Sequence, residues 1–194
     1  MQKSVAAFAA LTILIAAPAD AQKGLFFGAH VTGASLTNGT ESDPVDFGSG
    51  TGLHAGLSFG KAFGLLVNHD RSILGAKSDN LDLGQWDVLG RMSFIDVGPA
   101  TAYLTAGFSK RASNAFDDDG RSTFFKSTNL TAGVTGQLLA TSKIAVDAGF
   151  LRTLGSFSDG QGHDASRIDR IVLGISYYLF GGGRTAPGNR LRGF

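Results

Sequence analysis

The feature that most limits what this chain can fold into is an alternation of apolar and polar side chains at every second residue. Successive side chains on a β-strand point to opposite faces, so such a run is a strand with one greasy face and one mixed face. The stretch 166–180 shows it best. Ile171, Leu173, Ile175, Tyr177 and Leu179 form one face, and Arg170, Val172, Gly174, Ser176 and Tyr178 the other. Most of the earlier segments alternate in the same way, as in Leu53/Ala55/Leu57/Phe59, Trp86/Val88/Gly90/Met92/Phe94 and Leu130/Ala132/Val134/Gly136/Leu138. Eight strands are predicted, over 24–36, 51–60, 64–74, 83–94, 101–111, 124–139, 144–153 and 166–180.

The segment before them reads as a leader. Lys3 is a positive start, 5–17 is apolar, and Ala19-Asp20-Ala21 is a small-x-small cleavage site. Thirteen apolar residues are too few for a helix to cross a bilayer, which takes about 20. The predicted division is therefore a signal peptide over 1–21, removed after Ala21, a barrel domain over 22–180 and a flexible Gly/Arg-rich tail over 181–194. The chain has no cysteine. An exported protein without disulfides must draw its stability from packing, from a closed sheet or from the surrounding phase. The net charge of +1 suggests no nucleic-acid partner.

The connections also alternate. Segments 37–50, 75–82, 112–123 and 154–165 are long and polar, whereas 61–63, 95–100 and 140–143 are short. Long and short turns in strict alternation describe an up-and-down meander with all its long loops at one end, as in outer-membrane barrels. The polar face carries Thr, Ser, Gly, Gln, Asp and Arg with little Lys or Glu, which suits a barrel interior better than a water-exposed surface. Aromatic residues gather toward the ends of the apolar face. Phe27, Phe59, Phe94 and Tyr177 lie toward the short turns, and Trp86, Phe108 and Phe150 toward the long loops, as in interfacial girdles. The expected fold is all-β, an eight-stranded antiparallel up-and-down transmembrane β-barrel in contact with outer-membrane lipid.

A leader, eight amphipathic strands and a last strand carrying Gly174-x-x-Tyr177-x-Leu179 resemble the small bacterial outer-membrane barrels of the OmpA/OmpX type, including the opacity-like proteins. The resemblance covers roughly 24–180. It implies an outer-membrane location, and it implies that Gly174, Tyr177 and Leu179 form a signal for the outer-membrane assembly machinery. In that family the signal usually ends the chain, whereas here fourteen residues follow Phe180. Structural, adhesive and host-interaction proteins belong to the group, with a few lipid-modifying enzymes.

Chemistry is sparse. His30, His54, His69 and His163 form no zinc-spaced cluster. Asp117-Asp118-Asp119-Gly120 fails as a calcium loop, because placing Gly120 sixth puts Ala115 first and Lys126 twelfth. Gly48–Gly52 lacks the Lys and the helix of a phosphate loop, and no nucleophile elbow occurs. His163, Asp164 and Ser166 are close in sequence, which does not supply a hydrolase geometry. No cofactor is expected and the chain is not expected to be an enzyme.

The predicted lumen contains His54, Asp87, Arg91, Asp147 and Arg170. Charges out of bulk water need partners, so an Asp/Arg network crossing the interior is expected, with a structural role. An eight-stranded barrel has room for its own side chains or one small ligand. The expected function is structural or adhesion-like, through an extracellular partner of loops 37–50, 75–82, 112–123 and 154–165. Two alternatives stay open. A lipid-modifying enzyme would show a His–Ser–acid set at the lipid interface. A soluble barrel holding an apolar ligand would turn its Leu, Val, Ile and Phe side chains inward.

Overall fold

In the computed structural model, the described residues are 23–38, 46–59, 62–75, 80–97, 99–116, 122–141, 143–158 and 164–179. The predicted leader (1–21), Phe180 and the tail (181–194) lie outside them. The strands are β1 (Lys23–Asn38), β2 (Asp46–Phe59), β3 (Phe63–Gly75), β4 (Asn80–Val97), β5 (Ala100–Phe116), β6 (Ser122–Leu139), β7 (Ile144–Ser158) and β8 (Asp164–Tyr178). Each pairs antiparallel with the next, and β8 pairs antiparallel with β1, so the sheet closes into a barrel with no free edge. Closure satisfies every ladder from within, the condition for a sheet to sit in lipid.

The register sets the shape. Following hydrogen-bonded partners from Leu25 leads through Leu57, Leu65, Gly90, Ala106, Ala132, Arg152 and Asp169 to Ser35. The walk returns to β1 ten residues along, since 35 − 25 = 10. A stagger of this kind tilts the strands by about 40° to the barrel axis. The ladder slips between Ser93 and Ile95 and between Leu154 and Phe157. The second slip contains Gly155, whose φ of +138° suits glycine, and the Asn129 side chain occupies the space a Cβ would need.

The eight strands lie where the alternation predicts them, but they run further at the loop ends. About half of each of the segments 37–50, 75–82, 112–123 and 154–165 is strand. The connections between strands shrink to 39–45, 76–79, 117–121 and 159–163, all outside the described residues. Polar residues broke the sequence alternation there without breaking the ladder. Beyond the lipid a strand needs its backbone paired and no longer needs a greasy face.

The polarity is inside-out relative to a soluble protein. Leu53, Val88, Phe108, Leu130, Val134, Ile171 and Leu173 are exposed on the outer wall, whereas Arg111, Arg170, Asp87, Gln85, Ser109, Thr131 and Thr153 are buried. The soluble-barrel alternative required the opposite facing and is overturned. Phe27, Phe63, Phe94 and Tyr177 face outward near the short turns, and Trp86, Phe108 and Phe150 face outward further along. Two small apolar clusters lie inside, Phe26/Leu66/Leu89/Ala145/Leu151/Tyr178 and Ala34/Leu74/Leu83/Ile168.

Candidate functional site

The lumen is filled by a chain of hydrogen-bonded charges. Parity places Arg170 of β8 inward, and in a ring of eight strands β4 lies diametrically opposite. Arg170 spans that distance. Its Nη1 donates to Asp70 Oδ2 at 2.6 Å and its Nη2 to Asp87 Oδ2 at 2.8 Å, all three side chains being within 2% of complete burial. Asp87 also accepts from Gln85 Nε2 at 2.7 Å and from Ser109 Oγ at 2.5 Å. Ser109 has a single proton and gives it to Asp87. Thr131 must then donate to Ser109, and Thr153 to Thr131 at 2.7 Å.

Asp70 joins this layer to a second one. It accepts from Thr32 Oγ1 at 2.8 Å and from His30 Nε2. His30 Nδ1 meets His54 Nδ1 at 3.1 Å, His54 Nε2 meets Ser176 Oγ at 2.7 Å, and Ser176 Oγ donates to Asp147 Oδ2 at 2.6 Å. Gln137 completes the Asp147 site, donating at 2.8 Å, and accepts from Tyr178 OH at 2.5 Å.

The His30–His54 pair thus lies between two carboxylates, Asp70 at one end and, through Ser176, Asp147 at the other. The pair fits because the opposing inward positions are glycine. A Cβ on Gly28 would overlap His54, and one on Gly52 would overlap His30.

Of the residues read from the sequence, His54, Asp87, Arg91, Asp147 and Arg170 all point into the lumen, but they do not form one Asp/Arg network. Asp87 and Arg170 belong to the crossing layer and His54 and Asp147 to the histidine chain. Arg91 is held in another way, donating to Ser58 Oγ at 2.9 Å with its guanidinium 4.5 Å from the ring centres of both Phe26 and Tyr103. Asp70, His30, Arg111 and Ser176 belong to the lumen as well. Carrying the parity of β1 from Phe27 to His30, and of β5 from Ser109 to Arg111, would have found two of them. Gly174 lies inward against His30, whereas Tyr177 and Leu179 face outward, Tyr177 with its ring centre 5.8 Å from that of Phe27.

The lumen offers little space. A cavity of about 40 Å³ lined by His54, Asn68, Arg91, Tyr103 and Asp147 has room for about one water. Ser176, His54 and Asp147 are a Ser–His–acid set, but one inside the barrel, with Ser176 and His54 buried and Asp147 partly so, rather than at the lipid interface. Asp147 takes the serine's proton, whereas acyl transfer needs that proton to pass to the imidazole. His163 lies outside the described residues, as do the side chains of Asp164 and Ser166.

Beyond the apolar belt the outer wall becomes charged. Arg71 and Asp82 pair at 2.5 Å, Arg152 and Asp169 at 2.7 Å, and Arg167 and Asp169 at 3.2 Å, with Lys110 exposed nearby.

No family model matches the sequence and no curated protein is similar to it. Solved structures share the fold. Neisserial surface protein A superposes with a TM-score of 0.65 at 18% identity, over 79% of this chain and 96% of that one. Ail, the attachment invasion locus protein of Yersinia pestis, solved with the heparin analogue sucrose octasulfate, gives 0.58 at 12%, over 81% and 99%. The outer membrane protein OprG from Pseudomonas aeruginosa gives 0.55 at 9%, over 82% and 97%. At these identities the likeness is one of fold. Together with the apolar outer wall and the polar lumen, it makes this chain a transmembrane β-barrel of the outer-membrane type.

Proposed function

We propose that the chain is an integral outer-membrane protein that acts at the cell surface, its barrel serving as a rigid mount and its long strand ends, with the connections 39–45, 76–79, 117–121 and 159–163 they carry, as the interacting part. The observation that carries this reading is strand length. About 9–11 residues cross a bilayer as a tilted strand, and these strands have 13 to 18. The surplus lies at the end where Arg71, Lys110, Arg152 and Arg167 replace apolar side chains on the outer wall. The filled lumen supports a mount rather than a conduit, with the buried charges acting as structural ties. The fold shared with Ail makes a sulfated glycan a sensible first ligand to offer.

The leader would be removed after Ala21 on export. Gly174, Tyr177 and Leu179 would present the closing strand to the assembly machinery, a role supported by the outward facing of Tyr177 and Leu179 beside β1.

Cells displaying the protein, and cells displaying a variant with 39–45, 76–79, 117–121 and 159–163 replaced by Gly/Ser turns, can be compared for adhesion to heparin-coated surfaces and to epithelial matrix. The variant should fall to the level of cells lacking the protein while still migrating as a heat-modifiable barrel on gels. Equal adhesion by both would overturn the surface role.

A further inference from the structure

The lipid-facing wall is not evenly filled. An open groove of about 820 Å³ crosses it over β7, β8, β1, β2 and β3. Its length follows one ladder row, Val146, Ile175, Ala29, Leu53 and His69. Four steps of about 4.8 Å make that row about 19 Å long. The stagger of the barrel makes the row climb toward the loop end from β7 to β3. Ala29 sets the depth, because its ladder neighbours Leu53 and Ile175 and the next outward residue of β1, Val31, all stand further from the wall. The lower part is apolar, lined by the exposed Val146, Leu173, Ile175, Val31 and Leu53.

The upper end differs in kind. Thr51, His69 and Arg71 line it. His69 is fixed, its Nδ1 donating to the Gln85 carbonyl at 3.3 Å and its ring stacked on Trp86 with centres 4.3 Å apart. Arg71 pairs with Asp82 through Nε and Nη2, which leaves Nη1 outside the pair on a side chain 72% exposed. Lys110 of β5 stands across the ladder from Trp86 and is exposed. On β4, which separates Arg71 from Lys110, the outward position beside Arg71 is Gly84, where an added Cβ would meet nothing closer than 3.7 Å. Two cations therefore flank an open niche above an aromatic shelf, and with Asp82 they carry one net positive charge.

We propose that this groove holds one phosphorylated glycolipid of the outer leaflet, with a phosphate between Arg71 Nη1 and Lys110 and one acyl chain laid along the row from Leu53 to Val146. The order of the lining carries the assignment. Phosphate is met by guanidinium and ammonium donors where the apolar belt ends, and a chain is met by an apolar trough directly below. Half a hydrocarbon core is about 15 Å thick, so a climbing row of about 19 Å suits one chain of one leaflet. A free phosphate would make no use of the trough. The cations lie at the loop end, which faces the outer leaflet, and the phosphorylated lipid of that leaflet is a glycolipid. The site is independent of any partner of the loops.

Native mass spectrometry of the barrel in detergent tests this by titration with a phosphorylated glucosamine glycolipid and with the same lipid stripped of its phosphates. The wild type should retain one equivalent of the phosphorylated form and bind the stripped form about tenfold more weakly or worse. Arg71→Gln combined with Lys110→Gln should abolish that preference. Ala29→Trp, which fills the trough without touching the cations, should weaken both forms alike. Uptake of many lipids with no step at one equivalent, equal retention of the two forms by the wild type, an unchanged preference in the Arg71/Lys110 variant, equally tight binding of an anionic glycerophospholipid, or displacement by millimolar inorganic phosphate would each overturn the proposal. Should Ala29→Trp fail to migrate as a heat-modifiable barrel, the Arg71/Lys110 variant decides.

Discussion

Val134 and Thr135 are adjacent in sequence and lie in different solvents. Val134 is 44% exposed on the outer wall, between Leu130 and Leu138 on the same face. Thr135 points into the lumen, where its hydroxyl lies 2.9 Å from that of Thr105. The outer wall asks only that a side chain be apolar, and any of several would serve. The lumen asks that every polar atom find a partner, so its residues depend on one another. Substitutions outside should therefore be judged by charge and depth, and those inside by what they leave unpaired.

The sharpest test of the inner rule is Arg170→Met. It keeps bulk but strands Asp70 and Asp87, and breaking a buried pair in this way costs about 3–5 kcal/mol. Denaturant unfolding in micelles should show that loss, and the double change of Asp87→Asn with Arg170→Met should recover part of it. On the outer wall, Val134→Arg places a charge within the apolar belt and should cost about 2–4 kcal/mol in a refolding titration into bilayers. A negligible cost would show that Val134 does not face lipid. Thr135→Val removes one hydrogen bond from the lumen and leaves the Thr105 hydroxyl alone, a loss of about 1 kcal/mol by the same titration. At the charged rim, Arg71→Ala breaks a well-formed but exposed pair with Asp82, and unfolding curves with and without it should coincide.

Strand existence, facing and the long/short rhythm of the turns were legible because they are local. Parity alone put His54, Asp87, Arg91, Asp147 and Arg170 inside. It was hardest to read in β3, where Asn68, His69, Asp70 and Arg71 are all polar, so Asp70, the hub joining both layers, carried no signal of its own. The extent of the loops was misread for a related reason. Apolar alternation stops where lipid stops, whereas hydrogen bonding of the strands continues.

The alternation of Cβ directions along a strand, a property of each residue and its neighbours, determined that this chain would build a barrel with a greasy wall and a polar interior. Which charges would meet inside was decided only by closure. The ten-residue stagger and the number of strands set who stands across from whom. They brought Arg170 to Asp70 and Asp87, His30 to His54, and left Arg91 between two aromatic rings. Those distances depend on the whole ring, and no segment of sequence contains it.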